Sequence, residues 1–186
     1  GEHEEAIDAY LGLVRIRFAD PKAYHLLASE YFASDLYDES IQNFKEAIRL
    51  DPSYIDAHFK LSQVYVATGE LEKSLKEFEE VVQIEPIHLE GHFRKGDIYQ
   101  RLGNHKAAAI SFEKALSIDP GHVMANYQLA LAYTKMGLHE DALAKYKRTI
   151  ESDPNFSKAY YKMGFNFVFL KQYKKAIKPL KKSISL

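Results

Sequence analysis

The chain contains no cysteine. A disulfide framework, a cysteine-ligated zinc site and a cysteine nucleophile are therefore excluded, while the redox compartment stays open. Proline and glycine are scarce, six and nine among 186 residues, which argues against a loop-rich or collagen-like chain. No apolar run approaches the ~18–20 residues that cross a bilayer as a helix. The opening Gly1-Glu2-His3-Glu4-Glu5 is acidic and carries neither the basic nor the apolar region of a signal peptide. On those grounds the cytoplasm is the favoured location. What is present is ordinary for a folded protein: 46% of residues are hydrophobic and 27% charged. The net charge of −1 hides an asymmetry. Residues 1–88 hold 8 Lys and Arg against 18 Asp and Glu, and residues 89–186 hold 17 against 8.

The few prolines are regularly placed. Pro52, Pro86, Pro120 and Pro154 are each 34 residues apart. Ala6, Ser40, Ser74, Ala108, Ala142 and Ala176 form a column of small residues with the same step. Tyr31, Tyr65, Tyr99, Tyr133 and Phe167 form an aromatic column, and Tyr10, Phe44, Phe78, Phe112, Tyr146 and Leu180 form another that ends on leucine. Several columns in register mark an internal repeat. Each repeat reads as two helices. In residues 55–88, Ala57, Leu61 and Tyr65 share one helical face, Gly69 breaks the pattern, and Leu71, Leu75, Phe78 and Val82 restart it. Pro86 then ends it, because the residue before proline is pushed out of the α region. So short a pair buries its apolar face only by stacking on its neighbours.

This pattern resembles the tetratricopeptide repeat (TPR): a 34-residue period with small residues at positions eight and twenty, aromatics at eleven and twenty-four, and proline at thirty-two. The resemblance covers nearly the whole chain as a single array, with a half repeat at 2–20 and repeats at 21–54, 55–88, 89–122, 123–156 and 157–186. It implies an all-α, right-handed superhelical solenoid of about 5.5 helix-turn-helix repeats. First helices would line a concave groove and second helices a convex back. It further implies a protein–protein interaction scaffold that is no enzyme, needs no cofactor and takes a peptide or partner segment.

Some positions depart from the pattern. Pro21 falls three residues later than the period predicts, so the first turn between repeats is expected to differ. Lys95 replaces an apolar residue (Leu27, Leu61, Leu129 or Met163 elsewhere) and is expected to reach outward with its ammonium. Pro179 lies inside the last helix, which is expected to kink or start late.

Little points to catalysis. There is no GxSxG, P-loop or GxGxxG. Acidic pairs such as Glu79-Glu80 and Glu140-Asp141 fit solvated helix faces. His88 and His92 have the spacing of two metal ligands, but His88 falls in a turn. His92 shares a column with His58, Tyr24, Asn126 and Tyr160, so these histidines read as half-buried repeat positions and no metal site is assigned. Lys171, Lys174, Lys175, Lys178, Lys181 and Lys182 read first as a solubilising face. The alternative is an anionic-surface binder working through the lysine-rich C-terminal helix. Nucleic acid and membrane are the less favoured partners, and no small-molecule substrate is expected.

By analogy with the family, positions two, five, six, nine, twelve and thirteen of each first helix face the groove. The candidate partner-binding residues are Phe59, Lys60 and Gln63, then Phe93, Arg94 and Asp97, then Tyr127, Gln128 and Leu131, and finally Tyr161 and Lys162. They predict a ligand with acidic residues beside apolar or aromatic ones, with Asp97 tempering Arg94. The carboxylate clamp of co-chaperone members is rejected, since only Lys158 and Lys162 match it. The asparagine ladder of sugar-transferase grooves is absent as well. The chain is expected to be cut from a longer array, because it begins on a second helix and stops two residues before the next proline of the period. Phe165, Val168, Phe169, Ile177 and Ile184 are candidates for self-association at the open end, to which the opposed charges of the two halves would add weak, salt-sensitive head-to-tail contacts. The alternative context is an accessory region of a larger enzyme or of a secretion or assembly machine.

Overall fold

The structure is a computed structural model that describes residues 2–186. Its described residues form eleven helices of 13 to 15 residues and no strand. They fall into two compact units. The first, ending at Pro86, holds α1 (Glu2–Ile16), α2 (Pro21–Ala33), α3 (Tyr37–Leu50), α4 (Ile55–Thr68) and α5 (Leu71–Ile84). The second, from Ile87, holds α6 (Leu89–Arg101), α7 (His105–Ile118), α8 (Val123–Lys135), α9 (His139–Ser152), α10 (Ser157–Phe169) and α11 (Tyr173–Ser185). After α1 the helices pair as antiparallel-type hairpins joined by short turns, and the fold is an all-α repeat. None of these helices is long and apolar enough to cross a membrane.

The columns explain the helix pairs. Ser40 of α3 is fully buried and donates its hydroxyl to the carbonyl of Ala28 on α2 at 2.8 Å, a contact that only small residues allow. The aromatics of the second helices fill the space beside them: Phe44, Phe78, Phe112 and Tyr146 are completely buried. In the first unit Phe44 packs with Leu61, Val64 and Tyr65. In the second, Phe93, Phe112, Leu116 and Leu129 form one core and Tyr127, Tyr146 and Ala159 another.

The turns repeat too. Between hairpins, Asp51, Asp119 and Asp153 each precede a proline, and their carboxylates accept from the backbone N–H two residues on, at 2.9 to 3.0 Å. Within hairpins the chain passes through the left-handed region at one column: Asp35, Gly69, Gly103, Gly137 and Lys171, with φ from 57° to 81°. Glycine takes that conformation without steric cost, whereas Asp35 and Lys171 carry a β-carbon into it.

The turn before Pro21 keeps the length of the others. What differs is its chemistry: Asp20 caps α2, accepting from Lys22 N–H at 3.0 Å, and Pro21 opens the helix, where a missing N–H costs nothing. Lys95 extends along its helix and sets its ammonium 5.8 Å from the centre of the Tyr99 ring. The late start expected of α11 is corrected. It begins at Tyr173, the same point of the period as Tyr37, Leu71, His105 and His139, and continues through Pro179. Proline there removes one backbone hydrogen bond. Ala176 and Pro179 are both buried.

His58, His88 and His122 serve the turns. His88 and His122 cap α6 and α8, their Nδ1 atoms accepting from Gly91 and Ala125 N–H at 2.9 and 3.0 Å. In the column that His58 shares with Asn126, a polar side chain reaches back to a proline carbonyl. His58 Nε2 lies 3.1 Å from the Pro52 oxygen, and Asn126 Nδ2 donates to the Pro120 oxygen at 3.0 Å. Each ties a first helix to the turn that precedes it.

Candidate functional site

The helical period decides what each first helix shows. In the first unit, Phe59 is half-buried with its ring edge-on to Phe78 at 5.6 Å, Lys60 is exposed and Gln63 half-buried. In the second unit position five splits. Phe93 and Tyr127 are each only 8% exposed. Phe93 packs on Phe112 and His122, with centroids 5.8 and 5.2 Å away, and Tyr127 on Tyr146 and Phe156 at 6.0 and 4.9 Å. Burial pushes the Tyr127 and Tyr146 phenols up, so both stay neutral hydroxyls. Tyr161, at the same position of α10, is 49% exposed and stacks on Phe165 at 6.3 Å.

The charged positions sort differently from the sequence reading. The partner of Arg94 is Glu90, one turn earlier on the same helix, with Nε to Oε1 at 2.6 Å. Asp97 is half-buried and makes no hydrogen bond or ion pair among the described residues. Gln128 accepts a long hydrogen bond, 3.4 Å, from Gln100 on α6.

Four of the residues singled out from the sequence do converge. Leu131 of α8 and Lys162, Phe165 and Phe169 of α10 line a pocket of about 300 Å³, together with Thr134, Lys135, His139 and Asn166. Its wall is aromatic: Phe165 meets Phe169 edge-on at 5.3 Å, and Phe169 stacks on the His139 imidazole at 4.9 Å with the planes 15° apart. Its base is polar and held fast. Asn166 is fully buried. Its Nδ2 donates to the Lys162 carbonyl at 2.8 Å, and its Oδ1 accepts from Thr134 Oγ1 at 3.2 Å and stands 2.8 Å from His139 Nδ1. Tyr146 joins through Thr134 Oγ1 at 3.2 Å. Lys135 and Lys162 supply two ammoniums, the latter 5.7 Å from the centre of the Tyr161 ring. Apolar walls, a fixed amide and two cations are the equipment of a binding pocket for an anionic group beside an apolar one. Among the described residues no three His, Asp or Glu side chains gather to hold a metal ion.

Family models match the same stretch of chain. A TPR repeat model matches residues 28–69, and tetratricopeptide repeat models match 55–88, 89–122 and 111–144, together spanning 28–144. The chain belongs to the tetratricopeptide-repeat family. Solved structures agree on the fold. MamA shares 22% identity with a TM-score of 0.85, covering 89% of this chain and 90% of that one. YrrB, described as a TPR protein with an unusual peptide-binding site, shares 20% identity with a TM-score of 0.86, covering 97% and 93%. MamA (41 to the end) of Desulfovibrio magneticus RS-1 shares 21% with a TM-score of 0.82, covering 89% and 94%. No curated protein matches the sequence.

Against this tetratricopeptide-repeat frame the residues missed in the sequence stand out. Asn166 occupies position ten, where Glu30 stands in the first full repeat and Val64, Ile98 and Ala132 in the three that precede it. An amide after three apolar residues in that column is a legible signal of a buried polar network. Lys135, at position thirteen, faces the pocket as the family pattern implies for that position. His139 opens a second helix, outside the first-helix positions that define the groove, and only its contact with Asn166 brings it into the site.

Proposed function

We propose that the chain is a protein-interaction scaffold, without catalytic activity of its own, whose α8–α10 pocket takes a peptide segment carrying a carboxylate beside an aromatic or aliphatic side chain. The observation that carries this reading is the convergence of Leu131, Phe165 and Phe169 with Lys135 and Lys162 over the buried Asn166. The apolar side chain of the ligand would contact the phenylalanines, and the carboxylate would be drawn by the two ammoniums. Exposed Arg94 and Tyr161 and the neighbouring Gln128 extend the same reading, and Lys60 and Gln63 hold the corresponding positions in the first unit. The unusual peptide-binding site for which YrrB is described supports a peptide-binding role for this fold. The test uses a fluorescent decapeptide alternating Asp or Glu with Phe or Leu, and a control in which each acid is replaced by Lys. The acidic peptide is expected to bind and the control not. Lys135→Glu with Lys162→Glu is expected to weaken binding at least tenfold, about 1.4 kcal/mol, with an unchanged helical circular-dichroism spectrum. Binding of the acidic peptide at parental strength by that variant would show the pocket to be the wrong place.

A second reading concerns self-association, and the exposure of α10 and α11 favours it. Phe169 is 58% exposed, Ile177 53% and Ile184 86%, with Phe165 and Val168 also open. Apolar patches of this kind mark contact surfaces. Sedimentation over rising protein concentration is expected to show association that Val168→Glu with Ile177→Glu suppresses and that high salt weakens only slightly. A single monomeric species at all concentrations would refute it.

A further inference from the structure

The second unit carries a larger pocket that owes its character to two breaks in the repeat. It lies against α9, α10 and α11 and measures about 700 Å³. Ile150, Tyr160, Met163 and Pro179 give it an apolar lining, to which Lys147, paired with Glu151, and the lysines Lys178, Lys181 and Lys182 add their side chains. One repeat earlier the corresponding pocket, against α7, α8 and α9, measures about 420 Å³. Thirty-four residues relate the two linings: Leu116 to Ile150, Asn126 to Tyr160, Lys145 to Pro179, Arg148 to Lys182 and Glu151 to Ser185.

Two of those replacements change the chemistry. Lys145 lines the smaller pocket with a long side chain, whereas Pro179 presents a compact apolar ring. Glu151 neutralises Arg148 on the earlier rim, with Nη1 at 3.4 Å, and its other contact, at 3.7 Å, is with Nζ of Lys147, which lines the later pocket. Ser185 leaves the later rim without an acid. Lys178, Lys181 and Lys182 make no ion pair among the described residues, and residues 157–186 contain no Asp or Glu at all. The result is an apolar volume within the range that holds small ligands, opening under three unpaired ammoniums.

We propose that this pocket binds a free fatty-acid carboxylate, with the alkyl chain against Ile150, Tyr160, Met163 and Pro179 and the carboxylate among Lys178, Lys181 and Lys182. An alkyl chain gains by leaving water, and a carboxylate takes charge-assisted hydrogen bonds from lysine. The apolar lining distinguishes this from attraction to a charged surface, which would need the lysines alone. The site uses different residues of α10 from the peptide pocket and is independent of it.

Calorimetric titration of the full chain tests the proposal with three probes: decanoate, decylammonium of the same chain length, and acetate. Decanoate is expected to bind saturably, one per chain, and the other two not to bind. Pro179→Lys with Ser185→Glu rebuilds the chemistry of the earlier repeat and removes a proline from a helix, so it is expected to fold and to bind decanoate at least tenfold more weakly. Lys178→Gln with Lys181→Gln and Lys182→Gln is expected to do the same. Equal binding of decanoate and decylammonium, parental affinity in the Pro179→Lys, Ser185→Glu variant, or no uptake of decanoate would each overturn the proposal. If decanoate fails while phosphatidylglycerol vesicles capture the chain, the lysines act as a surface and the pocket as nothing.

Discussion

Phe112→Ala is expected to lower the stability of the second unit by about 3–5 kcal/mol, the usual cost of emptying a phenylalanine site in a packed core. Phe112 is wholly buried in α7, 5.8 Å from the Phe93 ring. It also sits directly on Gly96 of α6. A β-carbon at Gly96 would come within 2.6 Å of Cε1 and 2.7 Å of Cδ1 of that ring. A ring held on all sides cannot swing away, so Gly96→Ala alone is expected to be destabilising by about 1–3 kcal/mol. This holds even though alanine is the better helix former by about 1 kcal/mol. With Phe112 already reduced to alanine the obstruction is gone, and the same Gly96→Ala change should become stabilising. Urea unfolding of the two single variants and the double variant measures this coupling. A neutral or stabilising Gly96→Ala in the parent would show that the approach of the two helices is looser than the geometry requires.

Raising the pH is expected to weaken the first unit through His58. Its imidazole is buried between helices, with Nδ1 2.7 Å from Glu77 Oε2 and Nε2 3.1 Å from the Pro52 carbonyl oxygen. Burial works against the charged ring. The hydrogen bonds to Glu77 and to Pro52, with the nearby charges of Glu77 and Glu80, outweigh it and hold the pKa above the ordinary imidazole value. A group whose pKa is raised by folding contributes stability that is fully present below its unfolded pKa and is lost as pH rises through its folded pKa. His25, in the same unit, pulls the other way: burial, opposed by Asp56 and helped by Lys60, holds its pKa down, so it opposes folding as pH falls. The informative quantity is therefore the difference between parent and His58→Asn. Asparagine stands in this column at Asn126 and still donates to a proline carbonyl, so the tie to the turn survives while the charge is removed. The parent's advantage over His58→Asn is expected to be largest at mildly acid pH and to shrink toward pH 9. Parallel stability curves across that range would remove His58 as the cause.

Much of the fold was legible because a repeat writes each structural demand several times. Prolines at one step, small residues at another and aromatics between them mark hairpins and turns with no knowledge of their packing. The site was legible only in part. Periodicity places a residue on a helix face but does not say how deep that face lies. Phe93 and Tyr127 therefore looked like groove residues, while their rings close the contact with the following turn. Tyr161 shares their column yet stays open. Arg94 looked available, but Glu90 lies one turn back on the same face. Asn166 was readable in principle as a polar residue following apolar Val64, Ile98 and Ala132 at the same position. Its partners were not, because they come from α8 and α9, and the sequence alone does not measure that convergence. At Asp35 and Lys171 the chain keeps the left-handed turn without glycine. The flanking hairpin dictates that conformation, whatever residue is present.

The connections between helices are only two to four residues long. Within each unit the principal packing joins helices adjacent in the chain, with α2 to α4 and α6 to α8 skipping one. A chain of this kind brings together residues that are already close along it, so almost no entropy is spent closing long loops before contacts form. Low contact order of that sort goes with folding in roughly the microsecond-to-millisecond range. Synthesis proceeds at only about 5–20 residues per second. Each hairpin thus has ample time to form while the next is still being made, and a nascent chain need never expose more than the apolar face of its latest hairpin.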